Sequence, residues 1–167
     1  MENKKQSVLV AGANGKTGRI VIEFLKKSDI YEPVALVRSP DQQKSFEKYN
    51  VATILGDLES DLSNTIKNVD KAIFAAGSGG NKVKEVDQEG AKHFTDVVKK
   101  AGAKKFVMLS SMGADNPSIM PKLEDYLKAK NNADEHLRAS GLNYSIVRPG
   151  GLTDKNGEGK IELQEKL

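Results

Sequence analysis

The chain has 167 residues, no cysteine, and 26 Lys and Arg against 23 Asp and Glu, a formal net charge of +3. That length suffices for one domain with a buried core, the missing thiols exclude disulfides and thiolate metal sites, and a reducing compartment suits the composition. Acids such as Asp87, Glu89 and Asp96 alternate with lysines such as Lys99, Lys100, Lys104 and Lys105, so there is no basic stripe for nucleic acid. The start Met1-Glu2-Asn3-Lys4-Lys5-Gln6 has no apolar signal core, and no apolar run approaches membrane-spanning length, so a soluble, cytoplasmic protein with a small-molecule substrate and no membrane partner is expected.

In chain order, the β-forming run Val8–Ala11 leads into a turn with glycines at 12, 15 and 18 and then a helical pattern from Thr17 to Lys27. A strand, a glycine turn and a helix N-terminus together suit a diphosphate, because converging backbone N–H groups bind the anion and only glycine permits its close approach. The turn residues Gly12, Asn14, Gly15, Lys16, Thr17 and Gly18 are therefore candidate nucleotide contacts. Gly15-Lys16-Thr17 also looks like the end of a triphosphatase phosphate loop, but that loop needs glycine five residues before Gly15, where Val10 stands. A glycine turn can also be a plain tight connection.

Further strand runs follow at Val34–Val37, Ala52–Leu55, Lys71–Ala75, Lys105–Leu109 and Tyr144–Val147, with helical patterns between them. This alternation predicts right-handed βαβ units: a single doubly wound parallel α/β domain, the Rossmann fold, over residues 1–167. Ser39-Pro40 reads as a helix start, and Gly102 and Gly141 as helix stops. The loops Gly77–Gly80 and Met112–Pro121 follow the fourth and fifth strands, at the carboxyl edge where such sheets bind ligands. His93 and His136 fall on separate helices without ligand spacing, so no metal site is expected. The tail Leu152–Leu167 is polar and stops without a further strand and helix. Nothing in the sequence bears on oligomeric state.

Tyr126 and Lys130 lie one turn apart on a helix predicted from about Lys122 to Ser140, and Ser110-Ser111 end the strand before it. An ammonium about 4 Å from a phenol favours the phenolate by up to roughly three pKa units, making tyrosine a usable acid and base. A serine hydroxyl can hold a substrate carbonyl while tyrosine delivers the proton, and lysine can grip the ribose hydroxyls of a nicotinamide nucleotide.

With these residues the chain resembles the short-chain dehydrogenase/reductases, specifically the atypical NAD(P)H-binding, NmrA-like group that includes flavin and biliverdin reductases. The resemblance covers nearly all of residues 6 to 160. Its motifs are Gly12-x-x-Gly15-x-x-Gly18, Gly56-Asp57-Leu58, Ala75-Ala76-Gly77, Val86-Asp87-Gln88-Glu89-Gly90, Leu109-Ser110-Ser111-Met112-Gly113, Tyr126-x-x-x-Lys130 and Val147-Arg148-Pro149-Gly150-Gly151. It implies Tyr126 as acid/base, Lys130 as its partner and Ser111 as the substrate-orienting hydroxyl. It also implies Asp57 and Leu58 at the adenine, Ala75, Ala76 and Gly77 on the adenosine ribose side, and Pro149, Gly150 and Gly151 at the nicotinamide. Asp57 could instead cap the following turn, and Pro149-Gly150 could be an ordinary turn. Fully catalytic members keep an asparagine where Asp87 stands, and the group normally continues for another strand and helix.

An NAD-specific second strand usually ends in an acid, whereas this one ends in Arg38-Ser39. A contact from Arg38 to a 2′-phosphate contributes about 1.5 to 3 kcal/mol, so NADP(H) is expected over NAD(H). Ser39 adds a hydroxyl, and Lys16 and Arg19 reinforce the field. The expected function is an NADPH-dependent oxidoreductase passing hydride to a carbonyl, quinone-like or flavin-like acceptor; the alternative is a non-catalytic NADP(H) sensor.

Overall fold

In the computed structural model, which describes residues 4–155, 157 and 159, six parallel strands form one sheet in the order β3-β2-β1-β4-β5-β6. The strands are β1 Gln6–Ala11, β2 Tyr31–Val37, β3 Ala52–Leu55, β4 Lys71–Phe74, β5 Lys105–Leu109 and β6 Tyr144–Val147. All six expected strands are present, with β1 and β2 starting earlier than their apolar centres. The helices are α1 Lys16–Lys26, α2 Pro40–Glu47, α3 Ala91–Lys100 and α4 Glu124–Ala139. A π-helical segment, Val83–Gly90, precedes α3. No helix among the described residues is long and apolar enough to cross a membrane.

The sheet buries both faces because strand residues alternate between two cores. In β1, Leu9 and Ala11 point into a core with Phe74, Phe94 and Phe106, while Val8 and Val10 point into one with Ile22 and Phe46. The first core is covered by α3 and α4, and its rings pack at centroid distances of 5.9 Å, Phe74 to Phe94 and Phe94 to Phe106. Each fully buried Phe contributes about 1.5–3 kcal/mol of transfer free energy. Val10, which displaced the triphosphatase reading, is 0% exposed inside β1.

Helix ends follow their local chemistry. Ser39 Oγ accepts the Gln42 N–H at 3.3 Å with Pro40 at the first helical position, as Ser39-Pro40 implied. Gly102 and Gly141 take φ of +93° and +76° just beyond α3 and α4. At the amino edge, Ser7 donates its N–H and hydroxyl to Asp70 Oδ2 at 2.8 and 3.0 Å, tying β1 to the start of β4. The order 3-2-1-4-5-6 reverses between β1 and β4, and a crevice opens there at the carboxyl edge.

Candidate functional site

That crevice is a groove of about 430 Å³. Its floor is the first turn: Gly12, with φ +78°, lies so close to β4 that a Cβ there would sit 2.5 Å from Ala76. A Cβ on Gly18 would sit 2.1 Å from Gly12 O, so α1 reaches the strand end only because that position lacks a side chain. The Gly15 N–H donates to Gly12 O at 2.9 Å and closes the turn. Gly15 is also the N-cap of α1 and offers no capping side chain, and the first turn holds no acid. Its leading N–H groups therefore face the groove without an internal acceptor, which is the donor set an anion needs.

Asn14, Lys16 and Thr17 line the same floor. Arg19 is turned away from it: its guanidinium bonds the Asn14 side chain and lies 5.5 Å from the Phe46 ring centre. Lys16, 82% exposed in its side chain, pairs with Asp154. Arg19 itself does not line the groove but holds Asn14, which does, so its charge stays beside the turn. Gly18 is buried behind the floor.

Arg38, exposed at the end of β2, lines one flank. Ser39 does not, because its hydroxyl is engaged as the α2 cap. Asp57 and Leu58 form the next wall, where Asp57 Oδ1 also accepts the Glu59 N–H at 3.0 Å. Gly90 permits this packing, since a Cβ there would meet Leu58 Cβ at 3.2 Å. Ala75, Ala76 and Gly77 close the groove opposite. Sequence reasoning missed Leu36, Gln42, Gly56 and Val86, which also line it. Gln42 was legible as the residue three after the Ser39 cap, the position that reaches back over a helix start.

Pro149, Gly150 and Gly151 lie outside this lining, beside β5: the Met112 N–H donates to Pro149 O at 2.9 Å, and Met112 Cε sits 3.4 Å from the point where a Gly150 Cβ would be. Ser111, two residues beyond the end of β5, lies next to them and donates its hydroxyl to Met112 O at 3.2 Å. Tyr126 lies near Ser111, and Lys130 follows it by one turn of α4.

Their electrostatics correct the expectation for the pair. Burial pushes the Tyr126 phenol up, the Asp87 carboxylate adds to this, and the nearby Ser111 hydroxyl opposes it. Lys130 is 2% exposed, and burial pulls its ammonium down against the opposing charges of Asp87 and Asp134. Its Nζ lies 5.8 Å from the Phe74 ring centre. Lys130 thus turns into the domain and does not lower the tyrosine, which remains a neutral phenol near pH 7.

A buried network unforeseen in the sequence surrounds Lys130. Asp134, 0% exposed, accepts from the Ser110 hydroxyl at 2.8 Å and from Arg148 Nε and Nη2 at 3.0 and 2.9 Å. All three bonds use Oδ2, and Oδ1 has no partner among the described residues. Asp87, 1% exposed, accepts the N–H and hydroxyl of Ser78 at 3.1 and 2.6 Å, which pins the loop after β4. Only the π-helical segment brings Asp87 inward here, a wide turn of the sort that recurs at functional sites.

The histidines stay apart from this chemistry. His93 Nε2 accepts the Leu62 N–H at 3.1 Å, and His136 pairs with Asp96 across α3 and α4 at 2.8 Å. Among the described residues no three His, Cys, Asp or Glu side chains gather as a metal site. The polar tail from 152 is described only in part, and residues 156, 158 and 160–167 lie outside the described residues.

Comparison with known proteins agrees with this groove. A family model described as NAD(P)H-binding matches residues 12–167. A UPF0659 protein of Saccharomyces cerevisiae is 36% identical, the match covering 96% of this chain and 76% of that protein. A Bacillus subtilis protein named as an uncharacterised sugar epimerase is 34% identical over 96% of this chain and 78% of its own. Sanguinarine reductase of Eschscholzia californica is 28% identical over 93% and 72%. A solved structure from Bacillus halodurans, named for an NAD-dependent epimerase/dehydratase, superposes with a TM-score of 0.86 at 38% identity, covering 93% of this chain and 75% of that one. The chain belongs to the NAD(P)H-binding family.

Proposed function

We propose that this chain binds NADP(H) in the glycine-turn groove and reduces a small carbonyl, quinone-like or flavin-like acceptor at the carboxyl end of β5. The observation that carries the reading is the α1 N-terminus, uncapped and free of acids, opening under Gly12 and Gly15 into a groove flanked by Arg38. The turn fits a diphosphate because Gly12 and Gly18 let it fold tightly against the strand ends, where a Cβ would meet backbone at 2.5 and 2.1 Å.

When bound, the nicotinamide supplies the hydride. Arg38 meets the adenosine 2′-phosphate as a charge-assisted donor, Asp57 and Leu58 flank the adenine, and Ala75 to Gly77 line the ribose side. Pro149 to Gly151 would border the nicotinamide ring, while Lys130, one turn after Tyr126 on α4 and 2% exposed against Phe74, is turned away from the ribose. Ser111 orients the acceptor oxygen. Tyr126 would give that oxygen its proton, the partner of the hydride that a bound nicotinamide would supply to the acceptor. A phenol held neutral suits proton donation better than proton abstraction. This favours reduction over the base-first chemistry that the epimerase names of some relatives would require. The name sanguinarine reductase is in keeping with the same direction.

Calorimetry with NADPH, NADP⁺, NADH and NAD⁺, followed by NADPH oxidation with a panel of carbonyls, quinones and flavins, tests the proposal. Heat with NADPH and turnover with at least one acceptor are expected; no heat with any nucleotide ends it. A second reading, a non-catalytic NADP(H) sensor, is favoured by Asp87, whose carboxylate is committed to Ser78 instead of a proton relay. Tight binding without turnover would select that reading.

A further inference from the structure

Gln42 lines the nucleotide groove beside Arg38, yet its established contacts are those of a helix start. Its N–H donates to Ser39 Oγ at 3.3 Å, and its Oε1 accepts the Arg38 N–H at 3.0 Å. Because a backbone N–H needs an acceptor, that contact settles which end of the amide faces Arg38. The amide oxygen is held by the Arg38 N–H, and the NH₂, which has no hydrogen-bond partner among the described residues, is the group free for a ligand.

A cap alone does not account for glutamine at this position. A residue three after a serine cap can be Glu or Gln, and at a helix N-terminus glutamate is the better choice, since its charge is stabilised by the dipole. A carboxylate here would lie in the same groove as Arg38, neutralise the guanidinium and repel a phosphate. An amide keeps the cap and leaves the rim of the groove a set of donors.

We propose that Gln42 is a specificity-determining residue that, with Arg38, recognises the 2′-phosphate of NADP(H) and disfavours NAD(H). The inference rests on the NADP(H) reading above and deepens it. Two donors side by side serve a phosphate, which accepts several hydrogen bonds at once. Neither supplies the carboxylate that accepts from the 2′-hydroxyl in NAD-binding relatives of this fold.

Titration calorimetry of wild type, Gln42→Glu and Gln42→Met with NADPH and NADH separates the possibilities, with thermal melting as a check on folding. Gln42→Glu keeps the acceptor for the Arg38 N–H, and it is expected to weaken NADPH about tenfold or more while NADH binds as well as before or better. Gln42→Met, close in volume and without donors, is expected to weaken NADPH roughly three- to tenfold and to leave NADH unchanged. An unaltered NADPH to NADH ratio in both variants, with wild-type NADPH binding intact, would overturn this inference alone. Absence of nucleotide binding in the wild type would overturn it together with the proposed function.

Discussion

The glycine-turn end of the groove is built from backbone, whereas the Tyr126 end is built from buried side chains drawn from the π-helical segment, α4 and the residue after β5. At the first end, what matters is the absence of atoms: Gly12 and Gly18 bring chain segments within distances no Cβ would allow. At the second, Asp87, Lys130, Asp134 and Ser110 carry polar groups into a region 4% exposed or less, and each is tolerable only while its partners remain. The first end should therefore fail by steric overlap and the second by unpaired charge.

The largest expected effect breaks the backbone end. Gly18→Ala places a methyl 2.1 Å from Gly12 O, so the turn must open; a loss of about 3 kcal/mol or more in denaturant unfolding is expected, with nucleotide binding lost in calorimetry. A variant as stable as wild type would remove the close-packing argument. At the other end, Asp134→Ala leaves Arg148 only the Asp115 carboxylate at 3.4 Å, takes the acceptor from Ser110 and removes one of two carboxylates facing Lys130. It should cost about 3–5 kcal/mol by the same assay, and a change under about 1 kcal/mol would show that the network is not under electrostatic load.

Two milder substitutions address function rather than folding. Tyr126→Phe should lower kcat by about 10²–10⁴ with nucleotide affinity unchanged, if the phenol donates the proton. Full activity would move the chemistry away from tyrosine. Arg38→Ala should reduce NADPH affinity about ten- to a hundredfold and leave NADH unaffected, as read by calorimetry.

The smallest effect concerns neither end. Hydrogen bonds from Ser7 hold the Asp70 carboxyl below its ordinary value of 3.8. A carboxyl lowered on folding adds stability above the unfolded value and loses it as pH falls through the folded one. Ser7→Ala should therefore weaken the protein slightly at neutral pH and make its stability less steep below about pH 4; identical pH profiles would contradict this.

The glycine-turn end was legible because its residues are neighbours in the chain. Gly12 to Gly18 form one segment, and Arg38 is marked by the end of its strand, so strand period, turn and helix pattern sufficed. Gln42 was missed because its role needs β2 and α2 together with the groove between them. Tyr126 and Lys130 were legible as a helical pair, but not the sign of their interaction: one turn of helix places both on a face, while only packing decides that Lys130 turns inward beneath Phe74. Asp87 could be placed in the segment after β4, yet its burial depends on a π-helical turn that side-chain periodicity does not encode.

By itself the sequence determined the strand order's raw material: alternating apolar runs, capping residues and a glycine turn, all interactions within a few residues of each other. Tertiary structure decided the rest: the Asp134 to Arg148 pairing, the pinning of Ser78 by Asp87, and the rise of the Tyr126 phenol. These depend on burial and on charges brought together from distant segments. Desolvation is a property of the assembled core, so no local pattern can report it.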